Sequence, residues 1–99
     1  MITLEQLRTQ YKPQILALAA KHGVENIRVF GSVVRGEQDE DSDVDFLCDL
    51  PAEKGVTLWE MAGMWGDLEE LLPVEFDLVA EQRIRPELAQ RILQEAVPL

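Results

Sequence analysis

The chain has little of what staples or metallates a small protein. Its 99 residues hold one cysteine and one histidine, which excludes an internal disulfide and any cysteine-based zinc site and predicts a reducing compartment. Bases are scarce as well: nine Lys and Arg stand against nineteen Asp and Glu, a net charge of −10. That deficit argues against binding nucleic acid across a broad face, because neutralising phosphates needs clustered Lys and Arg. A basic protein partner or a metal-bridged anion suits it better. No apolar run approaches the ~20 residues of a membrane span, and the N-terminus lacks a signal-peptide pattern. These absences predict a cytoplasmic protein with no membrane contact. What is present, 46% hydrophobic and 28% charged residues, is the balance of an ordinary globule with one core, read as a single domain over residues 1–99.

Periodicity predicts a small α/β layer structure in the order αβ(α)βαβα. Thr3 and Gln6 have capping-box spacing, and Leu4, Leu7, Tyr11, Ile15 and Leu18 follow at helical intervals. Pro13 falls inside that pattern and should kink or split the helix, which Gly23 ends. Residues 27–30 read as a strand, and Gly31 to Gly36 as a turn or short helix. Residues 43–50 alternate acid and apolar at their start, the period of a second strand. Thr57 and Glu60 open another capped helix with Leu58, Met61, Trp65, Leu68 and Leu72 inward and Trp59 outward; Pro73 ends it. Residues 74–80 form a third strand, and Pro86 begins a last helix with Leu88, Ile92 and Ala96 inward.

Seven acids (Glu37, Asp39, Glu40, Asp41, Asp43, Asp45, Asp49) fall within thirteen residues that contain no base. For Glu37 to Asp41 a solvated loop is sufficient explanation. It is not sufficient for Asp43 and Asp45, which run into an apolar strand where carboxylates two apart share a face. Asp77 is central in another strand, and neighbouring strands lie ~4.8 Å apart. If the two strands are adjacent and in register, three carboxylates converge. Ionised pairs at ~4 Å repel by on the order of 4 kcal/mol at an effective dielectric of ~20, so either a proton or a divalent cation belongs there. Oxygen-only ligands favour Mg²⁺ or Mn²⁺. A calcium loop counted from Asp39 fails, since Val44 stands where glycine is required and Leu50 where glutamate is.

Gly31-Ser32 follows an apolar strand, where a tight turn aims backbone N–H groups at an anion. Gly36 makes the stretch superficially like a P-loop, but Glu37 replaces the lysine, which excludes that kind of ATPase. Ten residues after Gly31-Ser32 come Asp43-Val44-Asp45. The pattern resembles the GSx10DxD signature of the DNA polymerase β-like nucleotidyltransferases. With Arg35-Gly36 and Ser42 it also resembles the fuller form of the minimal nucleotidyltransferases, or MNT proteins, among them the MntA-type antitoxins of HEPN/MNT pairs. Asp77 stands where the family has its third carboxylate.

The resemblance implies a small mixed β-sheet flanked by helices, and transfer of a nucleoside monophosphate from a triphosphate such as ATP to an acceptor hydroxyl. It implies that Gly31 and Ser32 hold the terminal phosphates, and that Asp43, Asp45 and Asp77 ligate Mg²⁺ or Mn²⁺, with Asp77 also helping to deprotonate the acceptor. Asp43 also counts among the nucleotide-binding residues. Arg35 either touches phosphate or pairs with a local acid to fix the turn, and the second is preferred. By family and by charge, the acceptor expected is a HEPN ribonuclease toxin, modified on a hydroxyl such as tyrosine, in a hetero-oligomer; alone the chain could form a homodimer. The preferred reading is a protein adenylyltransferase antitoxin. The alternatives are an antitoxin that neutralises by binding alone and a nucleotidyltransferase with a small-molecule acceptor.

The remaining singular residues read as structural. His22 is expected to complement a helix end, and Cys48 to face the core unreactive. Arg83, Arg85 and Arg91 are candidates for phosphate or partner contacts.

Overall fold

A computed structural model describes residues 1–99. The first helical turn, α1 (Leu4–Gln6), is closed by the expected capping box: Thr3 Oγ1 accepts from the Gln6 N–H at 3.0 Å, and Gln6 Oε1 accepts from the Thr3 N–H at 2.9 Å. A π-helical stretch, Leu7–Tyr11, then leads into α2 (Lys12–His22). The irregularity falls just before Pro13, which lacks an N–H for the ladder and crowds the carbonyl four residues back. Gly23 ends α2 in the left-handed region at φ 75°.

Next come β1 (Glu25–Phe30), the short helix α3 (Ser32–Arg35) and β2 (Val44–Asp49). They are followed by α4 (Leu58–Leu71), β3 (Phe76–Ala80), α5 (Pro86–Glu95) and a two-residue strand β4 (Val97–Pro98). The four strands make one mixed sheet in the order β3-β2-β1-β4. β2 runs antiparallel to β1 and parallel to β3, and β4 is antiparallel to β1. The helix between the parallel strands is α4, as a parallel crossover requires.

Alternation along the strands sorts the sheet into two faces. Ile27 and Val29 of β1, Val44, Phe46 and Cys48 of β2, and Phe76, Leu78 and Ala80 of β3 enter the main core with Ile15 and Ala19 of α2 and Met64 and Leu68 of α4. Phe46 and Phe76 meet edge to face with centroids 6.3 Å apart, and Trp65 lies 5.1 Å from Phe76. Arg28, Phe30, Asp45, Leu47, Asp49, Asp77 and Val79 have the opposite parity. Leu47 is fully buried there, outside the main cluster. Arg28 is held on that face between Asp49 at 2.6 Å and Glu81 at 2.7 Å.

Several packing expectations need correction. Leu58 and Leu88 are 41% and 50% exposed, while Met64 is fully buried in α4. The inward stripe of α4 is thus rotated toward Met64 and Leu68, because the helix leans on α2 as well as on the sheet. Trp59 stands out at 85% exposed, as expected. Cys48 is fully buried, and burial pushes its thiol up to about 11, which leaves it unreactive.

His22 is the last residue of α2, at the helix end as expected, and it also reaches the neighbouring helix. Its Nε2 lies 2.7 Å from Asp67 Oδ2 on α4, with Lys21 Nζ 3.0 Å from the same oxygen. Its ring lies where a Cβ on Gly63 would fall, 2.8 Å away, so that glycine admits the contact. Hydrogen bonds from His22 and then Lys21 hold the Asp67 carboxyl below its ordinary range. Such a group binds fewer protons folded than unfolded, so its stabilisation is present above the ordinary carboxylate pKa near 4 and is lost as pH falls through the folded value. Asp67→Asn is expected to lower the melting temperature at neutral pH and to flatten the acid limb of the stability curve, read by thermal circular dichroism from pH 2 to 7.

Candidate active site

The site is built where β1 ends. Gly31 has φ 82° and ψ −158°, a combination essentially confined to glycine. A Cβ placed on it would come 2.2 Å from Asp45 Oδ2. The missing side chain therefore lets the turn lie against that carboxylate. Strand pairing explains the meeting: Phe30, the residue before Gly31, is opposite Asp45 in the antiparallel β1–β2 ladder. Ser32 begins α3, and the carbonyls of Gly31 and Ser32 accept from Arg35, Glu37 and other N–H groups that close the turn.

Asp77 arrives from the other side. In the parallel β2–β3 ladder Asp45 pairs directly with Asp77, and residues opposite one another in register project to the same face. Asp43 does not belong to the strand as expected: β2 begins at Val44, whose N–H donates to Glu75 O at 3.0 Å. The preceding residues are drawn into a turn in which Ser42 and Asp39 bond one another, leaving Asp43 exposed at the strand's mouth.

Burial, and then the charges of Asp77, Asp43 and Glu95, raise the Asp45 carboxyl above its ordinary range, with Arg35 opposing. The carboxylates of Asp43, Asp45, Asp77 and Glu95 offer only oxygen donors. No three Asp, Glu, His or Cys side chains come close enough together to form a finished metal cage. The carboxylates share a face without meeting at a point. Their chemistry fits a hard divalent cation all the same, since all are oxygen donors and a cation would relieve the repulsion that raises Asp45.

One residue on this face was not foreseen. Glu95, the last residue of α5, accepts the Gly31 N–H on Oε2 at 2.9 Å and bonds Arg35 Nη1 through Oε1. Arg35 also donates from Nε to Glu37 at 3.0 Å, so it pairs with local acids. Burial pushes the Glu95 carboxyl up, but the bonds from Arg35 and Gly31 outweigh it and hold it below its ordinary value. A faint signal existed in the sequence: a glutamate at a helix C-terminus opposes the helix dipole and needs a local partner. Arg83, Arg85 and Arg91 are exposed. A depression of about 750 Å³ opens beside Asp43, walled by Glu40, Asp41, Glu69 and Glu75 among others.

The mixed sheet thus brings a Gly-Ser turn against one aspartate, with a second aspartate in register on the next strand. The chain belongs to the nucleotidyltransferase domain family, whose model matches residues 13–99. It is 38% identical over 97 residues to "Protein adenylyltransferase MntA" of Thermococcus cleftensis, covering 98% of this chain and 96% of that one. It is also 39% identical over 88 residues to "Putative protein adenylyltransferase MJ0435" of Methanocaldococcus jannaschii, covering 89% and 92%. A solved "Structure of putative minimal nucleotidyltransferase" superposes with a TM-score of 0.83 at 44% identity, over 99% of this chain and 97% of that one. The fold recurs at 19% identity in a "toxin-antitoxin with AMP-PNP", with a TM-score of 0.69 over 89% of this chain and 71% of that one.

Proposed function

We propose that this chain is the antitoxin of a toxin–antitoxin pair and acts as a protein adenylyltransferase, moving AMP from ATP to a hydroxyl, such as a tyrosine's, on a HEPN ribonuclease toxin. The observation that supports it most is the pairing of Asp45 with Asp77 across β2 and β3, with the Gly31 turn against Asp45. The curated relatives named as adenylyltransferases agree with it.

In this reading the Gly31 N–H and the Ser32 hydroxyl take the terminal phosphates; Arg35, bonded to Glu37 and Glu95, fixes the turn and reaches phosphate only once Glu95 leaves it, and Asp43 borders the nucleotide as well. Asp43, Asp45 and Asp77 hold the divalent ions, Mg²⁺ or Mn²⁺, which when bound supply charge neutralisation for the attacking and leaving oxygens. Asp77, exposed on β3, faces the acceptor and draws off its proton. The acceptor oxygen forms a bond to the α-phosphorus, the bond to the bridging oxygen breaks, and pyrophosphate leaves. The acidic depression beside Asp43 and the net charge of −10 suit a partner with a positive surface.

A second reading has the chain silence its partner by binding alone. One observation favours it: Glu95 already occupies the turn. Intact mass spectrometry of the co-purified partner, with and without ATP and Mg²⁺, separates the two. A gain of one or more AMP units, abolished by EDTA, is expected. Tight association with no gain would select masking.

A further inference from the structure

The turn at Gly31 already binds an anion, and that anion is the chain's own. The Glu95 carboxylate spans a fixed backbone N–H and a guanidinium, accepting from Gly31 at 2.9 Å on one oxygen and from Arg35 on the other. A phosphate group offers the same bidentate set of oxygens to the same pair of donors. We infer that Glu95 is a built-in competitor for the terminal phosphates: the polyphosphate of a nucleotide enters only when the Glu95 side chain swings off Gly31 and Arg35. This rests on the reading of the turn as the triphosphate site and adds what guards it.

The movable part is the side chain and not the chain end behind it. Val97 and Pro98 pair with Val29 and Arg28 of β1, and the Leu99 N–H donates to Ile27 O at 3.1 Å. Arg8 clamps the same end, donating to Pro98 O at 2.6 Å and to Leu99 O at 3.2 Å. Leu99 itself is buried. The backbone next to Glu95 is therefore pinned to the sheet, and release falls to rotation about the glutamate's own side-chain bonds. Rotation would free Arg35 on that side for phosphate and withdraw a like charge from beside Asp45. Competition of this kind acts on the polyphosphate and not on the base or the sugar.

Wild type, Glu95→Gln and Glu95→Ala would be titrated calorimetrically with AMP-PNP, inorganic tripolyphosphate and adenosine, each with Mg²⁺, while the Gly31 amide is followed by ¹⁵N correlation spectra. Both variants are expected to bind AMP-PNP and tripolyphosphate ~10-fold or more tightly than wild type, since a competitor with charge-assisted bonds is removed. Adenosine affinity should not change, and the Gly31 amide should move on substitution. If wild type binds AMP-PNP and the variants bind it equally or more weakly, the competitor role is overturned while the nucleotidyltransferase reading stands. If no form binds either anion, the phosphate role of the turn fails and this inference with it. Glu95→Gln, nearly isosteric, serves should Glu95→Ala not fold.

Discussion

Asp45→Asn is expected to give a protein that melts a few degrees higher than wild type and transfers no nucleotide. The two effects have one origin. Burial and the charges of Asp77, Asp43 and Glu95 raise the Asp45 carboxyl above its ordinary value. A carboxyl raised on folding binds more protons folded than unfolded, so stability falls as pH rises from the ordinary range through the folded value, and the whole penalty remains at neutral pH. The amide removes it. Asp45 is only half-buried, and solvent screens the repulsion, so the gain is at most about 1 kcal/mol, or roughly 4–8 °C in a domain of this size. Below the ordinary carboxylate range the two proteins should melt alike. Transfer should meanwhile fall by ~10³-fold or more, because a lost cation ligand removes several kcal/mol of transition-state stabilisation at 1.36 kcal/mol per decade. Differential scanning calorimetry across pH and partner mass spectrometry check the two halves. A variant that melts lower and still transfers would remove Asp45 from the metal-binding role.

Much of this was legible in the sequence because the signals were local. Both capping boxes, the glycine that stops α2 and the proline that opens α5 rest on neighbouring residues and formed where their patterns placed them, while β2 formed one residue later than its alternation began. The Gly31-Ser32 turn and the Asp43-Val44-Asp45 run were readable for the same reason, and their spacing pointed to a family. What the sequence could not give was adjacency. That β2 and β3 are parallel neighbours with Asp45 opposite Asp77 depends on a crossover through α4 and not on any residue near either aspartate. Glu95 was hidden more deeply. It lies 64 residues from Gly31 and reaches the turn because the two residues of β4 pin the chain to β1, a strand too short to leave a periodic trace. The helix-end position of His22 was legible, but its partner was not: Asp67 lies on another helix, and only the packing of α2 on α4 over Gly63 unites them.

Gly31→Ala should be the most damaging single methyl in the molecule, and a comparison with Gly36→Ala shows why. Both glycines have positive φ, 82° and 73°. Gly36 has open space where its Cβ would go and sits in the left-handed region, so alanine there costs about 1 kcal/mol of backbone strain. Gly31 lies in a region that non-glycine residues occupy at a cost of order 1–3 kcal/mol, and its Cβ would also meet Asp45 Oδ2 at 2.2 Å. The turn and the carboxylate cannot both stay. The expected loss is about 2–4 kcal/mol, a drop of roughly 10 °C or more, with nucleotide binding lost as the Gly31 N–H is re-aimed. Repeating the change in an Asp45→Ala background removes the clash and leaves the strain, so the double-mutant cycle should return a coupling of ~1 kcal/mol or more. Equal losses for Gly31→Ala and Gly36→Ala, with no coupling to residue 45, would mean that the Asp45 carboxylate does not rest against the turn, and the phosphate site and the metal-binding face would then have to be assigned separately.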